Sequence, residues 1–193
     1  MKTSHKLLIP FICTLPLIGC GGSGGSGQAT ELEGSWKLGC NYDVEDERYG
    51  TESFAISGSS YAFEASGSDY DDCSIPRFSV RERGSLLIGE EMILNSGITV
   101  KKLDVTPNEV FVTLSADELV VYNNNNTTCG RSNWQKDIEV DVSNCAALNL
   151  TATKYDIYTI DGNNAFFGDN DFGDGSSESS RPTQLEDKFY SKL

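Results

Sequence analysis

Carboxylates are the groups this chain carries in quantity for chemistry. Aspartate and glutamate number 29 in 193 residues against 15 lysines and arginines, a formal charge of −14. They bunch at Asp43, Glu45, Asp46 and Glu47, at Asp69, Asp71 and Asp72, and at Asp169, Asp171 and Asp174. Two carboxylates facing each other across about 5–9.5 Å can hydrolyse a glycosidic bond if one has a raised pKa. Stretches this polar read as exposed loops, where water keeps carboxylate pKa values low, so no catalytic residue is assigned. A hard cation suits them better, because calcium takes oxygen ligands from alternate positions of a glycine-rich loop. Asp169-Asn170-Asp171-Phe172-Gly173-Asp174-Gly175 has that form, which makes Asp169, Asp171 and Asp174 the candidate calcium ligands. The loop falls short of a complete twelve-position calcium loop. Gly173 stands where the third ligand belongs, Asp174 replaces the turn glycine, and Ser180 replaces the closing glutamate. A solvated acidic loop is the alternative reading.

Six cysteines and one histidine, His5, complete the reactive inventory, and their meaning depends on how the chain begins. Lys2 and Lys6 lead into an apolar run from Leu7 to Ile18, broken only by Thr14 and carrying Pro10 and Pro16. At about 12 residues the run fits the hydrophobic region of a signal peptide and is too short to span a bilayer as a helix. It ends in Leu17-Ile18-Gly19-Cys20, which resembles the lipobox of bacterial lipoproteins. The resemblance implies diacylglycerol on Cys20, cleavage after Gly19, and a further acyl chain on the new amino terminus. Physically, more than one chain is needed because a single one anchors only marginally. Gly21, rather than aspartate, follows the cysteine, which for a Gram-negative cell implies the outer membrane. Gly21 to Gly27 contains only glycine and serine. Such a coil reaches roughly 18 Å and tethers a domain loosely beside the membrane. The chain thus divides into a signal peptide (1–19), an acylated cysteine with its tether (20–30) and one domain (31–193).

Removal of the signal takes away His5, so histidine-based triads and histidine-ligated metal centres are excluded. It also removes Lys2 and Lys6, taking the charge from −14 to −16, which argues against nucleic acid and anionic headgroups as partners. Cys13 is lost and Cys20 acylated, leaving Cys40, Cys73, Cys129 and Cys145. Four thiols in an oxidising compartment read as two disulfides. Three pairings are open, and local loop closure favours Cys40–Cys73 with Cys129–Cys145. No close CxxC pair recommends the four as a zinc site, and paired thiols are no nucleophiles.

The elements that must position these groups read as about ten short strands. They span Ser35–Tyr42, Thr51–Ser57, Ser60–Ala65, Arg77–Glu82, Leu86–Leu94, Thr99–Val105, Glu109–Leu114, Asp137–Val142, Tyr155–Ile160 and Asn164–Gly168. Gly58-Ser59 and Asp161-Gly162 read as tight hairpin turns. Asp137 to Val142 alternates acidic and aliphatic residues, a strand with one wet face. Ser115-x-x-Glu118 has capping-box form and predicts one short helix from Ala116 to about Asn123. Asp169 to Ser180 reads as an exposed loop, and Phe189, Tyr190 and Leu193 give the tail enough apolar surface to pack back.

This pattern predicts an all-β domain, an antiparallel barrel or a sandwich. Gly34-Ser35-Trp36 resembles the Gly-x-Trp motif of lipocalins and lipocalin-like bacterial lipoproteins. The resemblance implies a barrel whose base Trp36 closes, beneath an arginine that Arg131 or Arg181 would supply. The second lipocalin motif, Thr-Asp-Tyr, is missing; Lys154-Tyr155-Asp156 stands nearest to it. Also implied is a small apolar ligand among Phe54, Tyr61, Phe63, Phe78 and Phe111. The alternative function is a filled structural or interaction module at the outer membrane, meeting an envelope partner or calcium through its acidic loops.

Overall fold

The computed structural model describes residues 30–43, 47–145 and 149–193. The signal peptide, lipobox and Gly/Ser tether lie outside the described residues, as do Glu45 and Asp46. Eight antiparallel strands close into a barrel: β1 (Gly34–Asp43), β2 (Arg48–Ser57), β3 (Ser60–Ser68), β4 (Pro76–Ile93), β5 (Thr99–Leu114), β7 (Lys154–Asp161), β8 (Asn164–Phe167) and β9 (Tyr190–Lys192). Each pairs with the next, and β9 returns to β1 through Trp36 and Lys37. A short β6 (Glu139–Asp141) adds to the far half of β5, and one helix, α1 (Asp117–Asn125), follows β5. The all-β reading holds, and of its two forms the barrel is the one adopted.

Strand number and turns differ from the sequence reading in ways local chemistry explains. Arg77–Glu82 and Leu86–Leu94 belong to one long β4, and Thr99–Val105 and Glu109–Leu114 to one long β5. Both strands bend where Gly84 pairs with Pro107, at a register shift between Arg83 and Gly84. A Cβ on Gly84 would sit 2.8 Å from the Tyr61 ring and 2.9 Å from Pro107 Cα, so only glycine lets the strands approach there. Pro107 is tolerated because β5 changes neighbours around it, from β7 at 101–105 to β6 at 111–113. In the β7–β8 hairpin the two turn residues are Gly162 and Asn163, one place later than expected, and Gly162 supplies the positive φ of +59°. The β2–β3 turn, Gly58-Ser59, is as the sequence predicts, with Gly58 also at +59°.

Alternation along the strands turns an apolar face into the barrel. Phe54 and Ile56 of β2, Tyr61 and Phe63 of β3, and Leu103 and Val105 of β5 join Leu32, Trp36, Leu38 and Tyr158 in one core. Trp36 is 1% exposed, donates from Nε1 to the Leu32 carbonyl at 2.8 Å and stacks on Phe54. The cation over its ring is Lys192 of β9, with Nζ 5.0 Å from the centroid. Neither expected arginine serves there, because Arg131 lies over Trp134 and Arg181 over Tyr155. Lys192 reaches Trp36 because β9 pairs directly with it.

A second core covers the far halves of β4 and β5, where Val110 and Leu114 meet Trp134, Val140, Val142 and the helix residues Leu119 and Val120. Val140 and Val142 face inward as the alternation predicts, but Ile138 is exposed, lying before β6 begins. The expected capping box does not form. Ser115 and Ala116 both donate their backbone N–H to the Arg77 carbonyl, so the chain leaves β4 one residue late and Ala116 becomes the N-cap without a side-chain bond. Of the three apolar tail residues Tyr190 is buried, whereas Phe189 and Leu193 are exposed.

The disulfides are Cys40–Cys73 and Cys129–Cys145. They close sequence separations of 33 and 16 residues, each worth roughly 3–4 kcal/mol on the chain-entropy account. Cys40–Cys73 ties β1 to the β3–β4 loop, and Cys129–Cys145 ties the segment after α1 to that after β6.

Candidate functional site

The barrel interior holds a cavity of about 310 Å³ that opens to solvent. Its apolar wall comes from six strands, β2, β3, β4, β5, β8 and β9. Phe54, Tyr61 and Phe63 line it as the sequence reading expected, together with Leu86 and Val105. Phe167 and Tyr190 were not anticipated. They form with Phe54 a three-ring cluster, with centroids 5.2–5.3 Å apart and steep interplanar angles, in which ring edges meet ring faces. Phe78 and Phe111 line other surfaces. Phe78 packs in the second core, against the second-core ends of β4 and β5, where bare Gly67 leaves room for its ring. Phe111 falls on the outward phase beneath the Arg81 guanidinium, 5.2 Å away.

The other wall is charged. Glu52, Lys154, Asp156, Glu186 and Lys188 all line the same cavity. Lys188 pairs with Glu186 at 3.1 Å, and Lys154 with Glu82 at 3.2 Å. Glu82 also receives the Tyr61 hydroxyl, and Glu52 the Tyr190 hydroxyl. Asp156 receives the backbone N–H groups of Ile157 at 2.7 Å and Gly168 at 3.0 Å. A Cβ on Gly168 would come within 2.5 Å of that carboxylate, so glycine is what admits it. Burial pushes the Asp156 carboxyl up to about 7 against these two hydrogen bonds, with the Glu186 charge adding to the rise. Burial likewise raises Glu186, opposed by Lys188.

The sequence signal of these residues is parity. Glu52 shares its strand phase with Phe54 and Ile56, Glu82 with Phe78 and Val80, and Asp156 with Tyr158 and Ile160. A charge in the inward phase of an otherwise apolar strand face marks an interior polar group. Glu186 and Lys188 lie in an irregular segment, where no period applies.

The pH dependence of stability follows from Asp156. Its folded pKa is near 7 and its unfolded value near 3.8. Between those values the folded state holds a proton that the unfolded state has released, so stability falls as pH rises from about 4 to 7 and levels off above. Glu186 acts in the same sense. Melting temperature should therefore be higher at pH 5 than at pH 8, and Asp156→Asn should flatten that slope. A wild-type melting temperature that climbs from pH 5 to pH 8 would contradict this assignment.

The calcium candidates sit outside the barrel. Asp169 accepts the Asp171 N–H at 3.0 Å, and Asp174 accepts the N–H and hydroxyl of Ser176. Asp69 pairs with Arg77, and Asp72 accepts the Ser74 N–H. Among the described residues no three carboxylates or cysteines gather into a metal-sized group.

Arg181 braces the charged wall from outside. Only 7% exposed, it donates to the carbonyls of Leu103 and Asp156 and to the carboxylates of Asp104 and Glu178. No protein-family model matches the chain, and no curated protein matches it either.

Proposed function

We propose that this is a lipid-anchored envelope protein whose barrel takes up a small, largely apolar ligand without transforming it. The observation that carries the reading is the 310 Å³ space inside the barrel. An eight-stranded barrel is either filled by its own side chains or holds one small ligand, and this volume lies at the low end of ordinary ligand sites. Large aromatic walls with a few polar groups set among them are the usual composition of such sites. The lipocalin-like reading gains support from the up-and-down strand order and from Trp36 packed at one end of the barrel interior. Anchoring rests on the lipobox resemblance at Cys20, and the outer membrane on Gly21 after it.

Native mass spectrometry of the full-length protein, extracted from the envelope of a Gram-negative host, tests both parts. The expected spectrum shows a chain beginning at Cys20 with added acyl mass, four hydrogens lost to two disulfides, and a small organic adduct that solvent releases. A protein that carries no adduct, and that binds no apolar probe on titration, would favour the interaction module instead.

A further inference from the structure

The geometry points to a positively charged nitrogen as the head of the ligand, so that the barrel's cargo is a small amphipathic amine. Its apolar body lies against Phe54, Phe63 and Leu86, and its ammonium meets Asp156 and Glu52. This rests on the carrier reading and gives that ligand its class.

The charged wall is incomplete without such a group. Its two lysines are already matched, Lys154 by Glu82 and Lys188 by Glu186. Glu52 and Asp156 have only neutral donors, the Tyr190 hydroxyl for one and two backbone N–H groups for the other. Both bonds to Asp156 fall on Oδ1; among the described residues no donor reaches Oδ2. Asp156 is half-buried, and the surface it keeps belongs to the cavity it lines. A carboxylate oxygen that lines a cavity and has no protein donor is an acceptor open to a ligand's donor.

The sign of the missing charge follows from the rest of the wall. Among the lining residues Glu52, Asp156 and Glu186 outnumber Lys154 and Lys188 by three to two, and Glu82, paired with Lys154, adds a fourth carboxylate beside them. Tyr61 and Tyr190 also face this wall, but burial and their glutamate partners hold both hydroxyls protonated. Arg181 stands behind β7 and is engaged by Asp104 and Glu178. An anion entering here would meet net repulsion, and a neutral head would leave Asp156 with only the Arg181 charge, whose pull does not offset its burial. Size is limited as well: the cavity has the volume of about ten waters at ≈ 30 Å³ each, room for a ligand of about ten non-hydrogen atoms.

The test uses three probes with the same tail, n-heptylamine, n-heptanol and heptanoate. Each is titrated calorimetrically into the full-length protein, with the detergent blank subtracted. At pH 8 the amine should bind at least tenfold more tightly than the alcohol, and the carboxylate most weakly. At pH 5.5 Asp156 gains its proton, whereas the amine, like a lysine ammonium with a pKa near 10.4, stays charged. The amine's advantage should then shrink at least threefold while heptanol affinity holds. Asp156→Asn should abolish the same advantage at pH 8; if that variant does not fold, the pH comparison on the native protein decides. Equal or tighter binding of heptanol or heptanoate at pH 8 would overturn the amine assignment and leave the carrier reading intact. So would an amine preference unmoved by pH and by Asp156→Asn. Failure of all three probes to bind would overturn both.

Discussion

Replacing Trp36 with alanine is expected to remove about 3–5 kcal/mol of stability, the usual range for deleting a fully buried tryptophan. The residue makes three separate contributions there. Its ring stacks on Phe54 with centroids 6.0 Å apart, its Nε1 satisfies the Leu32 carbonyl, and its face receives Lys192. The first two fix the segment before β1, which brings Leu32 into the core with no exposed surface. Alanine would leave a cavity there and an unpaired carbonyl, and partial collapse cannot recover both. Lys192→Met separates the contributions, since it removes only a cation–π contact at an exposed site, worth about 0.5–1 kcal/mol. Urea unfolding followed by circular dichroism measures both variants. A Trp36→Ala loss no larger than that of Lys192→Met would mean that the ring does not hold this end of the barrel.

What was legible in the sequence divides along physical lines. Alternation and turn residues sufficed for an antiparallel barrel or sandwich, because period two depends on neighbours in sequence. They located β1, β2, β3, β7 and β8 to within a few residues. They failed where tertiary pairing overrides a local signal. Gly84 and Pro107 look like breaks, but facing each other they make a bend in two continuous strands. Ser115-x-x-Glu118 looks like a cap, but two backbone bonds to Arg77 take precedence. β9 has only three residues and no pattern of its own, and it becomes a strand because β1 and β8 both have edges to offer it. The cysteine pairing was readable from loop length.

The charged half of the site was readable only in part. Attention to acidic bunches drew the sequence reading to loops, where carboxylates are plentiful and satisfied by their own backbone. The interior carboxylates stand singly, each in an inward phase, and convergence comes from strands distant in sequence. Glu52, Glu82, Asp156 and Glu186 come from β2, β4, β7 and the segment before β9. No local spacing encodes that meeting; closure of the barrel does.

Arg181→Met is expected to cost about 3–5 kcal/mol, the range for breaking a buried ion pair and stranding its partner. Methionine keeps the apolar stem but gives up every donor. Four acceptors then lose their bonds: the carbonyls of Leu103 and Asp156 and the carboxylates of Asp104 and Glu178. Glu178 is half-exposed and keeps Lys102 at 2.9 Å, so the loss falls on Asp104 and the two carbonyls. Lysine would not rescue the site, because one ammonium cannot copy a planar fork that reaches several acceptors. An exposed pair such as Arg83–Glu109, at 4.0 Å, provides the contrast, and breaking it should change stability by no more than about 1 kcal/mol. For a domain of this size each kcal/mol shifts the melting temperature by roughly 2–4 °C, so the two variants separate clearly in a thermal scan. Adding Asp104→Asn to Arg181→Met should recover part of the loss, since it removes the stranded charge. The functional consequence follows from position. Leu103 and Asp156 are register partners on β5 and β7, and Arg181 clamps both carbonyls from outside while their side chains line the cavity. Loss of the clamp should therefore weaken probe binding as well as stability. Unchanged affinity in a destabilised Arg181→Met protein would show that the arginine holds the loop before β9 and not the wall of the site.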